Sequence, residues 1–169
     1  MQSLKRILLR NTQTRAFSKA WRGEIETFKP EDYGLSKDFR LTKYSKLKGW
    51  SCKVPQDQLF DYLKDIGDGS IGKETPDCSV TKYYNDDSIN LVSTIDFFYP
   101  LVENPYLQGR IGCANVLSDI YAMGTPRVDH LLMVLSVSLE MDAKEREVIT
   151  RELIRGFNDT AEEAGSSIT

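Results

Sequence analysis

The chain has 169 residues, 40% of them hydrophobic and 28% charged, with a formal net charge of −3, a size and composition that suit one globular domain with a sizeable core. The charge is split: residues 1–23 carry Lys5, Arg6, Arg10, Arg15, Lys19 and Arg22 and no acid, which leaves 16 basic against 25 acidic residues, net −9, for 24–169. An acidic body argues against non-specific nucleic-acid binding as the main task, and no apolar run approaches the length of a membrane span.

Cys52, Cys78 and Cys113 are odd in number and widely spaced, without a C-x-x-C and with a single histidine, His130. This argues against a disulfide framework or a structural zinc site and suits a reducing compartment. The leader 1–23 interleaves Leu4, Ile7, Leu8 and Phe17 with Arg, Lys, Ser and Thr. A helix there is basic and amphipathic, the composition of a mitochondrial transit peptide, with Arg15-Ala16-Phe17-Ser18 as a candidate processing site. A basic tail, or a start codon placed too far upstream, is the other reading.

Residues 24–54 read as an arm and glycine-rich loop: 24–48 is polar and mostly extended or irregular with a short strand over 40–44, and the loop Gly49-Trp50-Ser51-Cys52-Lys53 follows. Pro55 suits a first helical position, and Leu59, Phe60, Leu63 and Ile66 recur at helical spacing, so 55–66 is expected to be an amphipathic helix ended by Gly67. Residues 67–76 are a loop. Cys78–Tyr84 and Ile89–Ile95 flank the turn 85–88 as a β-hairpin. Residues 106–123 form a helix closed by Gly124 and Pro126. Val128–Leu139 is nearly continuous in apolar residues, as a strand buried on both faces would be. Asp142-Ala143-Lys144-Glu145 fits a capping pattern for a helix that Gly165 closes, and 166–169 begins another strand. The body 55–169 is therefore an α/β structure, with helices packed on a mixed sheet.

Three acids stand out. Asp96 ends a strand-like run, where α/β sheets usually place ligands. Asp119 shares a helix face with Asn115, and Gly112 one turn back leaves room for a bulky group. Asp77 follows Thr75-Pro76 in a loop. Such carboxylates at the ends of regular elements suit Mg²⁺ and, through it, phosphate. Taken singly, the ordinary surface carboxylate is the favoured reading of each. Lys53 could reach a phosphate as a point charge or be solvated, and Cys52 beside it could be activated by the neighbouring charge or simply packed. Arg110 and Tyr121 read as structural, and His130 as core or strand edge. No Walker A, G-x-G-x-x-G, Ser-His-Asp or H-E-x-x-H pattern occurs.

Longer strings carry more. Leu41-Thr42, Lys48-Gly49-Trp50-Ser51-Cys52-Lys53-Val54-Pro55, Ser93-Thr94-Ile95-Asp96-Phe97-Phe98-Tyr99-Pro100-Leu101-Val102, Asn104-Pro105-Tyr106, Gly109-Arg110-Ile111, the run Ala114 to Gly124 and Ala161-Glu162-Glu163-Ala164-Gly165 follow one another in the order of selenophosphate synthetases (selenide, water dikinases). The chain resembles that family from about residue 31 onward. The resemblance implies the amino-terminal ATP-binding domain of an aminoimidazole ribonucleotide synthetase-like fold. It also implies synthesis of selenophosphate from selenide, ATP and water, with release of AMP and phosphate. Mg²⁺ is then the cofactor, and a homodimer, or a heterodimer with a family member, the assembly. No nucleic acid or membrane partner is implied, and the location is cytoplasmic.

By position, Asp77 and Asp119 resemble the family's metal-binding aspartates, and Asp96 the acid that meets the nucleotide phosphates through metal. Lys53 resembles the essential lysine, with Cys52 beside it, and Thr75, Pro76 and Asp77 resemble nucleotide contacts. The chain departs from the family at Trp50, where competent members carry cysteine or selenocysteine, and at Ser51, where they carry glycine. Trp50 cannot act as a nucleophile. Either the chain is a non-catalytic paralogue that binds nucleotide or regulates a partner, or Trp50 is a selenocysteine codon, UGA, read as tryptophan; codon 50 distinguishes them. A third reading, a thiamine-phosphate kinase, is argued against by Cys52-Lys53-Val54-Pro55. Family members continue beyond the position of Thr169 with a Gly-Gly loop and a second domain, so this piece alone is expected to turn over little or no ATP.

Overall fold

A computed structural model describes residues 27–67, 78–97 and 99–169. The leader and the three positions Thr75, Pro76 and Asp77 lie outside the described residues. In chain order come two 3₁₀ turns, Pro30–Tyr33 and Leu41–Tyr44, then α1 (Gln56–Leu63), β1 (Ser79–Tyr83), β2 (Asp86–Ser93), α2 (Pro105–Ala122) and α3 (Ala143–Glu163). The α/β class expected from the sequence is what is found. Its sheet, among the described residues, is one antiparallel hairpin plus a single parallel bridge between Leu131 and Ile168. No described helix is long and apolar enough to cross a membrane.

The two long helices start where their caps dictate. Asn104 accepts a hydrogen bond from Leu107 N–H (3.1 Å), and Pro105 fills the first helical turn of α2, where a missing N–H costs nothing. The Asp142 carboxylate accepts from Glu145 N–H (2.8 Å) while the Glu145 carboxylate accepts from Asp142 N–H (3.0 Å), a complete capping box for α3. The helices then cross almost backbone to backbone. An added Cβ at Gly109 would lie 2.1 Å from the Leu153 carbonyl oxygen, and one at Gly156 would lie 1.9 Å from that of Tyr106. Only glycine permits this approach. Polar fasteners flank the crossing: Arg110 pairs with Glu163 through both nitrogens (2.7 and 3.0 Å), and Tyr106 donates to Asp159 (2.8 Å). The structural role expected of Arg110 is the one it plays.

Below the crossing, Cys113 and Leu117 of α2, Phe157 and Ala161 of α3, and Leu131 form one buried cluster. Burial there pushes the Cys113 thiol up to about 12, so it is protonated and acts as an apolar side chain. A second cluster joins Leu35, Phe39 and Leu41 to Met141, Val148 and Ile149. The stretch 27–44 is thus built into the core against the first turns of α3, and Tyr44 donates to Glu145 (2.8 Å). That docking winds 41–44 into a 3₁₀ turn in place of the expected short strand, because Leu41 must turn inward.

The hairpin also differs in detail. The turn is Tyr84-Asn85, with Asn85 in the left-handed region (φ 69°) that its short polar side chain tolerates. β2 begins at Asp86, earlier than expected, and the register jumps between Lys82↔Asn90 and Tyr83↔Asp86. The Asp86 carboxylate bonds the Ser88 N–H (2.9 Å) and hydroxyl (2.6 Å), and this local competition for the backbone accompanies the irregularity. α1 stops at Leu63, short of the expected 66, where the chain tightens into an Ile66 N–H to Leu63 bond (3.0 Å).

The largest departure is 128–139. Among the described residues it forms no ladder beyond the Leu131 bridge, and it is buried on one side only. Leu131 is buried while Leu132, Val134 and Leu139 are exposed. The period-two alternation gives one face to α2 and α3 and leaves the other uncovered among the described residues. His130, on this segment, is exposed, as an edge position would be.

Candidate functional site

The glycine-bounded loop is fixed first. Gly49 takes φ 52°, and it exchanges two backbone hydrogen bonds with Tyr99 (3.2 and 3.0 Å), which pins the loop to the segment following β2. The turn then tightens: Ser51 N–H bonds Lys48 O (3.1 Å), Lys53 N–H bonds Trp50 O (2.9 Å), and the Ser51 hydroxyl accepts from Lys48 N–H (3.1 Å). Serine at 51 therefore braces the loop. Trp50 and Lys53 are presented together toward the end of β2.

They meet at Asp96. Lys53 Nζ lies 3.2 Å from Asp96 Oδ1, and the Trp50 indole N–H donates to Oδ2 at 2.9 Å. From the opposite side, the Asn115 amide of α2 donates to Oδ2 at 2.8 Å. Phe97 N–H adds a fourth donor, to Oδ1 at 3.0 Å. The Lys53 ammonium also sits 5.9 Å from the centroid of the Trp50 ring. Asp96 is 11% exposed at its side chain and Lys53 is 54% exposed, so the acid is enclosed and the lysine reaches it from solvent.

Partial burial pushes the Asp96 carboxyl up, but the hydrogen bonds from Asn115, Trp50 and Lys53 and the lysine charge outweigh it, holding the group below the usual carboxylate range. The sign follows. A folded-state value below the unfolded one contributes stability that is complete above the ordinary aspartate value of about 4 and is lost as pH falls through the depressed value. Asp96→Asn is expected to flatten the acid limb of the stability–pH curve below about pH 4. Urea unfolding of both forms at stepped pH measures this, and parallel acid limbs would contradict it.

Asp119, one turn along α2 from Asn115, accepts from the Thr94 hydroxyl at 3.2 Å, and its carbonyl oxygen accepts from the Cys78 thiol at 3.5 Å. The end of β2, the start of β1 and one face of α2 thus converge. Asp96, Asp119, Lys53 and Trp50, separate in sequence, belong to one neighbourhood. Cys52 is half-buried, has a free thiol and makes none of the bonds to Asp96. Thr94 and the direct contact of Asn115 with Asp96 lie outside the sequence expectations. Thr94 stands two residues before Asp96, where an extended chain returns to the same side, so a hydroxyl there was a usable signal.

The donor chemistry fits a hard divalent cation. The side chains are two carboxylates with a hydroxyl and an amide, all offering oxygen. Among the described residues no three acidic, histidine or cysteine side chains converge to hold an ion by themselves. Mg²⁺ characteristically takes one or two carboxylates and completes its shell with water and substrate phosphates, which this set permits.

Residues 75–169 match the AIR synthase related protein, N-terminal domain. The chain is 47% identical over 150 residues to "Selenide, water dikinase" of Trypanosoma brucei brucei (strain 927/4 GUTat10.1), covering 84% of this chain and 37% of the relative. It is 42% identical over 173 residues to "Selenide, water dikinase 3" of Danio rerio, covering 85% and 38%. It is 40% identical over 176 residues to "Selenide, water dikinase 2" of Homo sapiens, covering 84% and 39%. The chain spans about two fifths of the length of these relatives.

Proposed function

The chain belongs to the AIR synthase related protein family through that family's N-terminal domain, and on that premise we propose that it is the ATP-binding portion of a selenide, water dikinase, serving phosphoryl transfer from ATP to selenide. The observation that carries this is the Lys53–Asp96–Asn115 arrangement on a glycine-pinned loop. It puts a solvent-exposed positive charge beside an enclosed negative one, which is what a triphosphate with its counter-cation requires. Phosphoryl transfer needs positioning and charge neutralisation more than covalent chemistry from the protein.

In this reading Lys53 leaves Asp96 for the phosphate oxygens of the nucleotide. Asp119 and Asp96, with Asp77 as the third family position, hold Mg²⁺. Asn115 keeps Asp96 oriented throughout, since it approaches from a helix rather than from the loop. Bound Mg²⁺ supplies neutralisation of phosphate charge. Thr75 and Pro76 contact the nucleotide by family position. The assembly is a homodimer or a heterodimer with a relative, in the cytoplasm, unless the basic leader directs it to mitochondria.

Trp50 favours a second reading. An indole has no nucleophilic sulfur or selenium, so as translated the chain would bind nucleotide without handling selenide, as a non-catalytic paralogue. Isothermal titration with ATP and Mg²⁺, together with phosphorus NMR of chain, ATP and selenide, tests both. We expect saturable ATP binding and no selenophosphate from the 169-residue chain. Absence of ATP binding would remove the nucleotide reading. A selenophosphate resonance would refute the paralogue reading.

A further inference from the structure

We propose that Trp50 is an affinity-determining residue of the site: its indole N–H occupies, on Asp96 Oδ2, a place that an incoming cation–triphosphate must claim. This rests on the nucleotide reading above. A carboxylate offers about four lone-pair positions. Four donors meet Asp96: Lys53 and Phe97 N–H on Oδ1, Trp50 and Asn115 on Oδ2. Asp96 therefore has no vacant acceptor, and a cation can bind it only by displacing a donor.

The four donors differ in how readily they leave. Phe97 N–H is backbone adjacent to the acid itself. Asn115 is half-buried in the middle of an 18-residue helix. Lys53 gains an equivalent partner when phosphate arrives. Trp50 is 41% exposed and sits in a turn braced by the backbone bonds of Gly49 with Tyr99 and of Ser51 with Lys48, none of which runs through the indole. The Trp50 ring also lies near the Lys53 ammonium, at the 5.9 Å outer range of a cation–π contact, and this favours the closed arrangement until Lys53 turns to phosphate. Ligand binding thus opposes the Trp50 bond twice, once at Asp96 and once at Lys53.

The test uses the full chain carrying Trp21→Phe, which leaves Trp50 as the sole tryptophan. ATP with Mg²⁺ is titrated while indole emission is followed, and the binding isotherm is measured separately by calorimetry. The expected result is a change in emission that saturates with the calorimetric isotherm. ATP with EDTA, and Mg²⁺ alone, are expected to give smaller changes. Trp50→Phe keeps the ring and removes the donor; it is expected to bind ATP–Mg²⁺ roughly tenfold more tightly, the scale of one hydrogen bond to a charged group. If ATP–Mg²⁺ binds while Trp50 emission stays constant and Trp50→Phe binds as the parent does, the competition is refuted and the nucleotide reading stands. If calorimetry shows no ATP binding, both fall.

Discussion

Gly156→Ala is expected to lower the stability of the chain by about 3 kcal/mol or more, the upper range for inserting a methyl group into a filled contact. The new Cβ would meet the Tyr106 carbonyl oxygen at 1.9 Å and its carbon at 2.9 Å, both backbone atoms of α2. No side-chain rotamer can relieve that, so the helices must separate. Alanine's better helix propensity returns only about 1 kcal/mol. Separation would also loosen Cys113, Leu117, Phe157 and Ala161, which pack along the same pair of helices. A fall in Tm of about 6–12 °C follows for a chain of this size. Gly109→Ala should behave alike, since its Cβ would lie 2.1 Å from the Leu153 oxygen. Gly112→Ala is the internal control: the nearest atom there is a Phe157 ring carbon at 3.8 Å, an ordinary contact. Equal Tm values for Gly156→Ala and Gly112→Ala would refute the close crossing.

Lys53→Met is expected to weaken ATP–Mg²⁺ binding by roughly 10- to 100-fold, the loss of a charge-assisted contact to phosphate. Stability should change little. The Lys53–Asp96 pair is open to solvent on the lysine side, and such pairs contribute at most about 1 kcal/mol. The two variants therefore separate by readout: Gly156→Ala moves Tm, whereas Lys53→Met moves Kd. Lys53→Arg retains charge but not shape and should bind at an intermediate strength. Calorimetry on the three proteins decides it; a Lys53→Met isotherm that overlays the parent's would take Lys53 out of the phosphate site.

The apolar face of 128–139 that is left open among the described residues, and the two-stranded hairpin, show where local pattern stops being informative. A run such as Val128 to Leu139 states that burial is available, and the partner that supplies it is a long-range matter. Here α2 and α3 cover Leu131 and half-cover Met133, while Leu132 and Val134 remain open. The stretch 27–44 differs in the other direction. Its polar composition reads as an arm, yet Leu35, Phe39 and Leu41 are spaced to enter the core once α3 is present to receive them.

What the sequence determined by itself is local. Asn104-Pro105 and Asp142 with Glu145 set the starts of α2 and α3, because a cap satisfies the orphan backbone donors of its own first turn. Gly124 and Gly165 follow their ends in left-handed conformations. The family strings nominated Lys53, Asp96 and Asp119 individually. Only the tertiary structure decided that Trp50 and Lys53 meet Asp96, that Asn115 completes it, and that Thr94 reaches Asp119. The physical reason is distance along the chain. The contacts to Asp96 span 46 residues on one side and 19 on the other. Such contacts are set by the Gly49–Tyr99 clamp and by the glycine-to-backbone approach of α2 and α3, neither of which leaves a periodic trace in the residues that make it.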